Sequence, residues 1–476
     1  MMRAVRTQHR VAIALAGALI AAGAVALFML LRQPPPSTLE RIRASGLLVV
    51  ATRIAPTTYF AGADGPDGFT HALVEAFAQE LGVRVRFEFP PTLDALLDDV
   101  AGARVHMAAA GLGVTDARRR RMRFSQPFAD VEEQLVYRRG TSRPKQIDDV
   151  GPGELHVVAG SSQEELLQQL RANGHPNLSW TPHADTDTQS LLAAVDRGEL
   201  RLTLADANSV DLSRRIYRHV AVAFALADSK PIAWAFPRSG DDSLRRAADC
   251  FLRSAQRGDL LQRLQARYFG HTGRLNFVDS RDFWRDVRDR LPALRSLFER
   301  AAEITGIDWR LLAAIGYQES HWRSDAVSPT GVRGIMMLTQ ATAQQMDIDD
   351  RDDPEQSIIG GARYLRVVEE KIPERIAEPN RLWLTLAGYN IGFGHLEDAR
   401  VLTERGGANP DLWMEVKQRL PMLARKPHYE TVKHGFARGQ EPVDYVDNIR
   451  NYYDMLVWFT GTADEATRAY LFAESN

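Results

Sequence analysis

The hydrophobic pattern of the chain begins with an uninterrupted apolar segment. Arg3, Arg6 and Arg10 precede an apolar run from Val11 to Leu31. A run of about twenty apolar residues is long enough to span a bilayer as a helix, and basic residues before it favour an amino terminus that stays inside. Residues 1–32 are therefore predicted to be an export segment, either a cleaved signal peptide or a retained membrane anchor.

After a proline-rich linker over residues 33–39, the pattern changes to strands that alternate with helices. Leu47–Ala51 is predicted to be a buried strand, Ala72–Glu80 a helix and Val83–Phe89 an alternating strand. Further short strands are predicted near Val105–Ala109, Leu135–Tyr137, His156–Ala159 and Leu202–Ala205. This order indicates an α/β domain with mostly parallel sheets.

The most informative apolar helix of the second half is predicted to run from Trp309 to Glu319. Leu312 and Ile315 precede Glu319 by seven and four residues, so they share its face of the helix. A carboxyl group on an apolar face loses hydration, which raises its pKa. Such a group can keep its proton near neutral pH and donate it to a glycosidic oxygen as a general acid. The alternative is an ion pair of Glu319 with Arg323 or Arg333.

Glu319 opens a series of motifs that occur in a fixed order. In chain order they are Glu319-Ser320, Trp322, Ser328–Gly331, Gly334–Met336 and Ala387–Asn390, followed by Tyr445–Arg450. The series resembles the catalytic core of the lytic transglycosylases, lysozyme-like enzymes that cleave bacterial peptidoglycan. The resemblance covers residues 285–460 and implies a mainly α-helical, lysozyme-like domain. One departure is Met337, which stands where many relatives have glutamine.

The resemblance implies a reaction with a single catalytic carboxyl group, that of Glu319. Glu319 would protonate the leaving oxygen and then, as a carboxylate, accept the proton of the C6 hydroxyl of N-acetylmuramic acid. That hydroxyl attacks C1 of the same sugar, so a 1,6-anhydro product forms without water. A hydrolytic muramidase is the alternative, and it requires a second positioned carboxylate. Asp325 lies six residues on and does not share a helix face with Glu319.

The same resemblance assigns supporting roles to residues around the substrate. Ser328 is expected to hydrogen-bond the substrate acetamido group or to position the carboxyl group, and Tyr389 does likewise from the opposite wall. Asn390 is expected to pin its loop, and the Met336 side chain to line the cleft as an adaptable apolar wall. For Trp322, stacking on a sugar ring and packing in the core are both open.

The front half carries a second series of motifs. They are Gly46–Thr52, Gly68-Phe69, Gly111–Arg118, Phe124–Phe128 and Gly160–Ser162. Over residues 40–270 the series resembles the periplasmic solute-binding proteins for amino acids. The resemblance implies two lobes, joined by a hinge, that close on a ligand. Gly113 departs from the pattern, since relatives often carry a serine or threonine hydroxyl there.

This resemblance also implies a ligand with a free carboxylate, such as an amino acid or a muropeptide. Arg118 is expected to bind the carboxylate through its planar guanidinium group. Gly111 belongs to the same site, and Ser161 and Ser162 at a helix start are expected to add donors. Asp206 is the candidate for the ligand amine. A structural ion pair is the alternative role for Arg118.

Composition narrows the range of partners. The formal charge is −2, from 59 basic and 61 acidic residues that are interspersed, so no nucleic acid partner is expected. Cys250 is the single cysteine, which excludes an internal disulfide and a lipid-modified cysteine after the apolar segment. No metal or other cofactor is predicted. A length of 476 residues is sufficient for two or more domains.

Together these patterns predict a two-domain exported protein. The predicted segments are an export segment (1–32), a linker (33–39), a solute-binding domain with a sensor role (40–270), a linker (271–284), a lysozyme-like domain (285–460) and a tail (461–476). The predicted activity is that of a peptidoglycan lytic transglycosylase in the periplasm of a Gram-negative bacterium. It is associated with the outer membrane if the export segment is cleaved and with the inner membrane if it is retained. The alternative function is a transport-type binding protein with a non-catalytic glycan-binding tail.

Overall fold

The structure, a computed structural model, describes residues 35–63, 65–226, 229–238, 240–271 and 277–461. The export segment predicted over residues 1–32 lies outside this range, as do the residues after Gly461. Among the described residues, none of the helices has the length and apolar character needed to cross a bilayer.

The first lobe of the front domain is built on a mixed five-stranded sheet. Its strands are β1 (Leu47–Ala51), β4 (Arg84–Glu88), β5 (Met107–Ala108), β6 (Met122–Phe124) and β14 (Ala235–Pro237), in the spatial order β4-β1-β5-β14-β6. Leu48 and Val50 pack on one face of the sheet, while Val49 and Ala51 pack on the other. Strand β1 is therefore covered on both sides, as its uninterrupted apolar sequence predicts.

Helices cover both faces of this sheet. On the face of Leu48 lie residues of four helices, namely α1 (Thr38–Ser45), α2 (Phe69–Leu81), α8 (Ser243–Arg257) and α9 (Leu260–Tyr268). On the opposite face lies α3 (Leu93–Ala101). The lobe also contains the small hairpin of β2 (Phe60–Ala61) and β3 (Pro66–Asp67) and the short helix α4 (Asp116–Arg121). The helix predicted over Ala72–Glu80 lies within α2 and is thereby confirmed.

The second lobe is built on a second mixed five-stranded sheet. Its strands are β8 (Glu133–Arg138), β9 (Leu155–Val158), β10 (Thr181–His183), β11 (Leu202–Asp206) and β12 (Val220–Ala225), in the spatial order β10-β9-β11-β8-β12. Its helices are α5 (Ser162–Ala172), α6 (Thr188–Arg197) and α7 (Ala207–Ser213), with one short 3-10 helix at Ile147–Asp149. Leu135, Leu155 and Leu204 belong to its apolar core.

A pair of short strands joins the two lobes. Strands β7 (Ala129–Val131) and β13 (Lys230–Ile232) run antiparallel, and each carries the chain from one lobe into the other. Strands β8 and β14 follow them directly and pair antiparallel with both of their neighbours. The prediction of mostly parallel sheets is therefore wrong. A strand that enters its sheet from the hinge runs opposite to its neighbours, and its apolar pattern does not reveal that direction.

The second domain is mainly helical, as predicted. Its helices are α10 (Phe277–Asp289), α11 (Leu291–Thr305), α12 (Trp309–Ser320), α13 (Gln340–Gln345), α14 (Pro354–Lys371), α15 (Asn380–Ile391), α16 (Phe393–Arg405), α17 (Trp413–Arg419), α18 (Lys426–Tyr429) and α19 (Gln440–Gly461), with a 3-10 helix at Leu420–Ala424. Helix α12 packs against α11 and α19. Helix α10 occupies the second half of the linker predicted over residues 271–284, and its Phe283 and Trp284 are fully buried.

Buried charged groups join the two domains. The Asp454 carboxylate on α19 accepts hydrogen bonds from Arg215 Nη1 (2.7 Å) of the second lobe and from His271 Nε2 (2.7 Å). Burial lowers the pKa of His271 to about 3, so the imidazole is neutral. Burial opposes ionisation of Asp454, but His271 and Arg215 together hold its pKa well below the ordinary value. The carboxylate is therefore charged and fixes the end of the front domain to α19.

A second set of contacts on α19 reinforces this connection. Arg450 Nη2 donates hydrogen bonds to the carbonyl oxygens of Ala266 (2.5 Å) and Arg267 (3.0 Å) near the end of α9. Asn451 Nδ2 donates to the carbonyl oxygen of His271 (3.0 Å). Helix α19 therefore binds the last helix of the front domain and the residues that follow it.

Beside these contacts, the two domains line an open cavity of 1290 Å³. It is lined by Phe60 and Tyr268 from the front domain and by Trp383 and Tyr453 from the helical domain, among other residues. Protein interiors are otherwise close-packed with few large voids. Elsewhere the second lobe and the helical domain share one apolar core, to which Ile216, Tyr217 and Trp284 belong. Apolar packing and the polar contacts of α19 together fix the relative position of the domains.

Candidate functional site

Glu319 lies in the last turn of α12, where the helix leaves the core. The helix begins at the cap residue Asp308, which accepts a hydrogen bond from Arg310 N (2.8 Å), and ends at His321, whose φ of 53° is left-handed. Leu312 and Ile315, on the face of Glu319, are fully buried. The apolar face predicted from the sequence is thereby confirmed, and it holds the carboxyl group in a partly buried position.

Burial raises the pKa of Glu319 to about 7, against an ordinary value of 4.5, and a hydrogen bond from Tyr445 lowers it in part. Tyr445 Oη donates to Glu319 Oε1 at 2.6 Å. Neither arginine considered as a partner pairs with this carboxyl group. Arg323 Nε donates to the carbonyl oxygen of Ser320 (3.3 Å), and Arg333 Nη1 pairs with Asp352 (2.5 Å). The expected rise in pKa is confirmed, and the ion-pair alternative is wrong.

Two tyrosine hydroxyls flank the carboxyl group. Burial raises the pKa of Tyr445 and of Tyr389 well above the ordinary value, and the charge of Glu319 adds to both shifts. Both hydroxyls therefore keep their protons and act as donors. The ring of Tyr364 lies behind Tyr389, with ring centres 5.4 Å apart. The three tyrosines come from α19, α15 and α14, so three helices converge on the end of α12.

Hydrogen bonds also fix the segment Gly334–Met336 beside Glu319. Ser320 Oγ donates to the carbonyl oxygen of Ile335 (2.9 Å), and Tyr389 Oη donates to that of Met336 (3.2 Å). Met336 N donates to Ser357 Oγ (3.2 Å). Gly334 has a φ of 81°, and a Cβ atom there would collide with the backbone of Arg351. Gly334, Ser320 and Tyr389 therefore shape the backbone of this segment beside the carboxyl group of Glu319.

The side chains of Met336 and Trp322 both lie in the core. The Met336 side chain has an exposed fraction of 0% and packs where Gly316 and Gly361 leave space. The expectation that this side chain lines an open cleft is wrong, and its carbonyl oxygen makes the contact to Tyr389. Trp322 is buried, and its Nε1 donates to the carbonyl oxygen of Ala313 (2.8 Å). Of its two alternatives, core packing is the one that the structure supports.

Ser328 and Asn390 are placed near the site without contacting Glu319. Ser328 Oγ accepts hydrogen bonds from the amides of Thr330 (3.2 Å) and Val332 (3.2 Å), so it closes its own tight loop. Asn390 is exposed in the last turn of α15, and within the described ranges no residue hydrogen-bonds its side chain. The substrate contacts predicted for Ser328 and Asn390 stay predictions.

The site offers one acid–base group. Among the residues that the structure describes, no second carboxylate acts on the pKa of Glu319, which burial and Tyr445 determine. Asp325 is exposed in the loop after α12. The arrangement can therefore donate and later accept one proton, with tyrosine hydroxyls beside it to stabilise the charged form.

A separate cavity of 330 Å³ lies between the two lobes of the front domain. The structure brings all five residues predicted for the ligand site to its lining, which are Gly111, Arg118, Ser161, Ser162 and Asp206. Residues of the first lobe, the second lobe and the hinge contribute to the same cavity. Its volume is at the lower end of the range for small-molecule sites, about 300–1,000 Å³.

The protein itself occupies part of the hydrogen-bonding capacity of Arg118. Arg118 Nη1 donates to the carbonyl oxygen of Gly113 (3.1 Å), and Nη2 donates to that of Gly160 (3.0 Å). Arg118 Nε lies 3.4 Å from Glu165 Oε1. Gly160 and Glu165 belong to the second lobe, so Arg118 connects the lobes. These contacts are those expected if Arg118 has a structural role, which was the alternative to ligand binding.

The other predicted side chains of this cavity are also engaged. Ser161 Oγ caps α5 by accepting from Glu164 N (3.1 Å), and Ser162 Oγ donates to Glu133 Oε1 (3.1 Å). Asp206 caps α7, since its two carboxylate oxygens accept from Ser209 N (2.9 Å) and Ser209 Oγ (2.6 Å). These local contacts position the ends of the helices around the cavity.

The glycine at position 113 has a structural explanation. A Cβ atom at Gly113 would lie 3.3 Å from the side chain of Ser162 in the opposite lobe. The space that a side chain at position 113 would need is therefore taken by the hydroxyl group of the other lobe.

Two family models match the chain, one on each domain. The model of bacterial extracellular solute-binding proteins, family 3, matches residues 48–271, and the model of the transglycosylase SLT domain matches residues 296–410. The first range covers both lobes and the hinge. The second includes Glu319 and Tyr389, whereas Tyr445 lies beyond it.

Curated relatives match both domains together. Membrane-bound lytic murein transglycosylase F 1 of Alkalilimnicola ehrlichii is 46% identical over 89% of this chain and 86% of the relative. Membrane-bound lytic murein transglycosylase F of Hahella chejuensis is 42% identical over 90% of this chain and 85% of the relative. The chain belongs to the membrane-bound lytic murein transglycosylase F family. Each match covers both domains of this chain and most of the relative, so these relatives share its two-domain organisation.

Solved structures cover the front domain of this transglycosylase F chain. The cysteine-binding protein from Campylobacter jejuni has 15% identity and a TM-score of 0.45, over 51% of this chain and 98% of that protein. The substrate-binding protein AbpA from Streptococcus pneumoniae, bound to L-arginine, has 22% identity and a TM-score of 0.43, over 49% of this chain and 98% of that protein. The assignment of the front domain accordingly depends on the family model over residues 48–271.

Sequence reasoning missed the closest partner of the carboxyl group in this transglycosylase F chain. Tyr445 is 126 residues away from Glu319 along the chain, so no local spacing connects the two. The available signal was the segment Tyr445–Arg450, which is part of the resemblance to lytic transglycosylases. That segment by itself does not indicate which of its residues reaches the acid.

Replacement of Glu319 by glutamine is expected to stabilise the fold at alkaline pH. Folding holds the pKa of this group near 7, whereas 4.5 is the value without burial, so the charged form weakens folding above pH 7. The Tm of Glu319→Gln should exceed that of the wild type at about pH 8, and the difference should disappear as the pH falls from 7 to below 4.5. The control is Asp325→Asn, at an exposed acid. An excess in Tm that does not change with pH would contradict a desolvated carboxyl group.

Proposed function

We propose that the helical domain is a peptidoglycan lytic transglycosylase that cleaves the β-1,4 bond between N-acetylmuramic acid and N-acetylglucosamine. The observation that carries this proposal is the single desolvated carboxyl group of Glu319, with a pKa of about 7 and a hydrogen bond from Tyr445. The names of relatives at 42–46% identity support the same activity. No cofactor is required for this chemistry.

In the first step, Glu319 acts as a general acid. Its Oε1 accepts the hydrogen bond of Tyr445, so the proton of the neutral acid is carried by Oε2. Oε2 donates this proton to the glycosidic oxygen as the bond to C1 breaks. A pKa of about 7 keeps much of the group protonated at neutral pH while it still transfers its proton readily.

In the second step, the same group acts as a base. The carboxylate accepts the proton of the C6 hydroxyl of N-acetylmuramic acid, and the C6 oxygen attacks C1 to give the 1,6-anhydro sugar. Tyr445 stabilises the carboxylate at this stage, since its hydrogen bond lowers the pKa of Glu319. The intramolecular attack needs no positioned water. The 2-acetamido group of the substrate stabilises the positive charge that develops at C1.

Among the described residues, no second carboxyl group acts on the pKa of Glu319, and this supports the intramolecular route over hydrolysis. Hydrolytic glycosidases use two carboxyl groups, one of which activates water or forms a covalent intermediate. In the described part of the chain, no carboxylate other than that of Glu319 is coupled to the site. Ser328 and Asn390 bind the substrate in this proposal, and Tyr389 donates a hydrogen bond to it or to Glu319.

The catalytic domain spans residues 285–460 in this proposal, and the solute-binding domain spans residues 40–270. The contact between Tyr445 and Glu319 supports the longer catalytic unit, because the family model ends at residue 410. The chain is exported through residues 1–32 and associates with a membrane in the periplasm. The arginines before the apolar run Val11–Leu31 and the names of the relatives support that location.

The front domain regulates the catalytic domain by binding a small ligand between its lobes. Gln265 of α9 and Phe269 after it line the cavity, and the carbonyl oxygens of Ala266 and Arg267 between them accept hydrogen bonds from Arg450. Arg450 lies on α19, five residues after Tyr445. A ligand that favours one arrangement of α9 therefore alters the position of Tyr445, provided that it binds the two arrangements with different affinity.

Digestion of purified sacculi tests the reaction. Mass spectrometry of the products is expected to show 1,6-anhydromuramic ends, and Glu319→Gln should lower the cleavage rate by about 10²- to 10⁴-fold. Asp325→Asn, which changes an exposed acid six residues away, should retain the wild-type rate. Reducing ends that carry solvent oxygen would contradict the proposal and indicate a hydrolase.

The pH profile of cleavage tests the role of Tyr445. The wild-type rate should fall as the pH rises above about 7, because Glu319 must begin the reaction protonated. Removal of the hydroxyl group in Tyr445→Phe removes a bond that lowers the pKa of Glu319, so the alkaline limb should move upward by about one pH unit. A downward shift would be inconsistent with a hydrogen bond to the carboxylate.

Substitution of Arg450 tests the regulation. Each of the standard free L-amino acids is screened for a rise in Tm, and the cleavage rate is measured at saturation. A binding amino acid should change the wild-type rate, while Arg450→Met should keep the rise in Tm and lose most of the change in rate, because methionine has no donor for the two carbonyl oxygens. A wild-type rate that stays constant at saturation would refute the regulation.

A further inference from the structure

The solvent side of α8 carries a row of arginines with no acidic residue among them. The opposite side of this helix packs into the core of the first lobe through Leu244, Ala248, Phe251, Leu252 and Ala255. On the solvent side, Arg246, Arg253 and Arg257 follow one another at spacings of seven and four residues, and Cys250 lies one turn after Arg246. All four side chains are exposed, and together they form the α8 arginine face.

The protein does not neutralise this face. None of its three arginines forms an ion pair with a residue in the described part of the chain. The acids beside the face are taken by another arginine, since Arg245 pairs with Asp242 (3.2 Å) and with Asp249 (2.8 Å). The last two arginines of the face are four residues apart, and like charges at this spacing weaken a helix. An anionic partner would remove that repulsion.

The start of α8 is fixed to the point where the described chain begins. Leu39 N of α1 donates a hydrogen bond to Ser243 Oγ, the first residue of α8 (3.1 Å). Arg41 Nη1 donates to the carbonyl oxygen of Pro36 (2.6 Å), so the residues that lead into α1 are held against that helix. The entry of the chain and the first turn of α8 therefore lie side by side.

This entry is close in sequence to the predicted export segment. The apolar run ends at Leu31, four residues before Pro35, where the description of the structure begins. Four residues span at most about 14 Å when fully extended. With the apolar run in a bilayer, Pro35 therefore lies within about 14 Å of the hydrocarbon region, which the lipid headgroups border. Arg246 follows Ser243 by three residues, so the α8 arginine face begins about one turn from this entry.

We propose that the α8 arginine face binds the headgroups of anionic phospholipids in the membrane with which the chain associates. The proposal deepens the membrane association proposed above and rests on it. Guanidinium groups bind phosphate with bidentate geometry, and basic residues close to a bilayer are attracted to its negatively charged lipids. An apolar segment and a basic surface that bind the same membrane reinforce each other. The front domain thereby takes one orientation on the membrane surface.

Fluorescence from Cys250 tests the proposal on the full chain. Cys250 is the single cysteine and lies within the face, so one neutral NBD fluorophore attached there reports on the face alone. The labelled chain is reconstituted into vesicles of phosphatidylcholine and phosphatidylglycerol that contain a lipid with a spin-labelled headgroup. Docking of the face is expected to quench the fluorophore in these anionic vesicles. Quenching should be absent in vesicles of phosphatidylcholine alone, and about 0.5 M salt should reverse it.

Loss of charge from the face should release it. Each of Arg246→Gln, Arg253→Gln and Arg257→Gln should lower the ratio of docked to undocked chain by about 5-fold, and the triple variant by about 100-fold. The control removes the same charge from exposed positions of the helical domain through Arg425→Gln, Lys433→Gln and Arg438→Gln. This control should dock like the wild type. An unchanged Tm in both triple variants verifies that the fold is intact.

Two observations would overturn the proposal, namely a wild-type face that is not quenched in anionic vesicles and equal quenching in the wild type and the Arg246, Arg253 and Arg257 triple variant. Flotation of the vesicles separates this proposal from the one on which it rests. A chain that does not float with vesicles of either composition would count against membrane association itself. A chain that floats while its face stays unquenched would count only against the α8 arginine face.

Sedimentation with purified sacculi examines the other polyanion that the face could meet. The triple variant of the α8 arginine face should sediment with sacculi as the wild type does. A variant that loses binding to sacculi and still docks on anionic vesicles would assign the face to peptidoglycan and refute the assignment to lipid.

Discussion

The helical domain is organised around the burial of one carboxyl group. The apolar face of α12 removes water from Glu319 and raises its pKa to about 7. A desolvated acid is useful only if its charged form is also stabilised during the reaction, and the fold supplies Tyr445 for that purpose. The helix α15 adds Tyr389, whose hydroxyl binds the carbonyl oxygen of Met336 and so fixes the loop next to the acid. The packing that buries the acid therefore also sets the positions of the neighbours that stabilise it.

Helix α19 connects the catalytic site with the front domain. Its first turns carry Tyr445, and its later turns carry Arg450 and Asp454, which bind the front domain. A helix is stiff, so a displacement at one end is transmitted to the other. A cavity of 1290 Å³ beside these contacts leaves part of the boundary between the domains unpacked, whereas the second lobe shares a continuous apolar core with the helical domain. The polar contacts of α19 are thus the physical basis for the regulation proposed above.

Two arginines of the front domain line the same cavity but differ in their contacts. Arg118 donates to backbone carbonyl groups of both lobes and so connects them. Arg53 lines the same cavity without such partners. The bonds of Arg118 use two of its five N–H donors, and its Nε makes no hydrogen bond. Residue type does not distinguish the two arginines, and only the tertiary structure shows which of them connects the lobes.

The sequence by itself determined the local elements and the key acid. The apolar spacing predicted α12, the face of Glu319 and its raised pKa, and the uninterrupted apolar run predicted β1, because side-chain periodicity is a local property. Only the tertiary structure decided which distant residues fill the space around those elements. It brought Tyr445 to Glu319 across 126 residues, buried Met336 against Gly316 and Gly361, and reversed the strands that follow the hinge. Such partners are selected by the packing of whole elements, which local patterns do not encode.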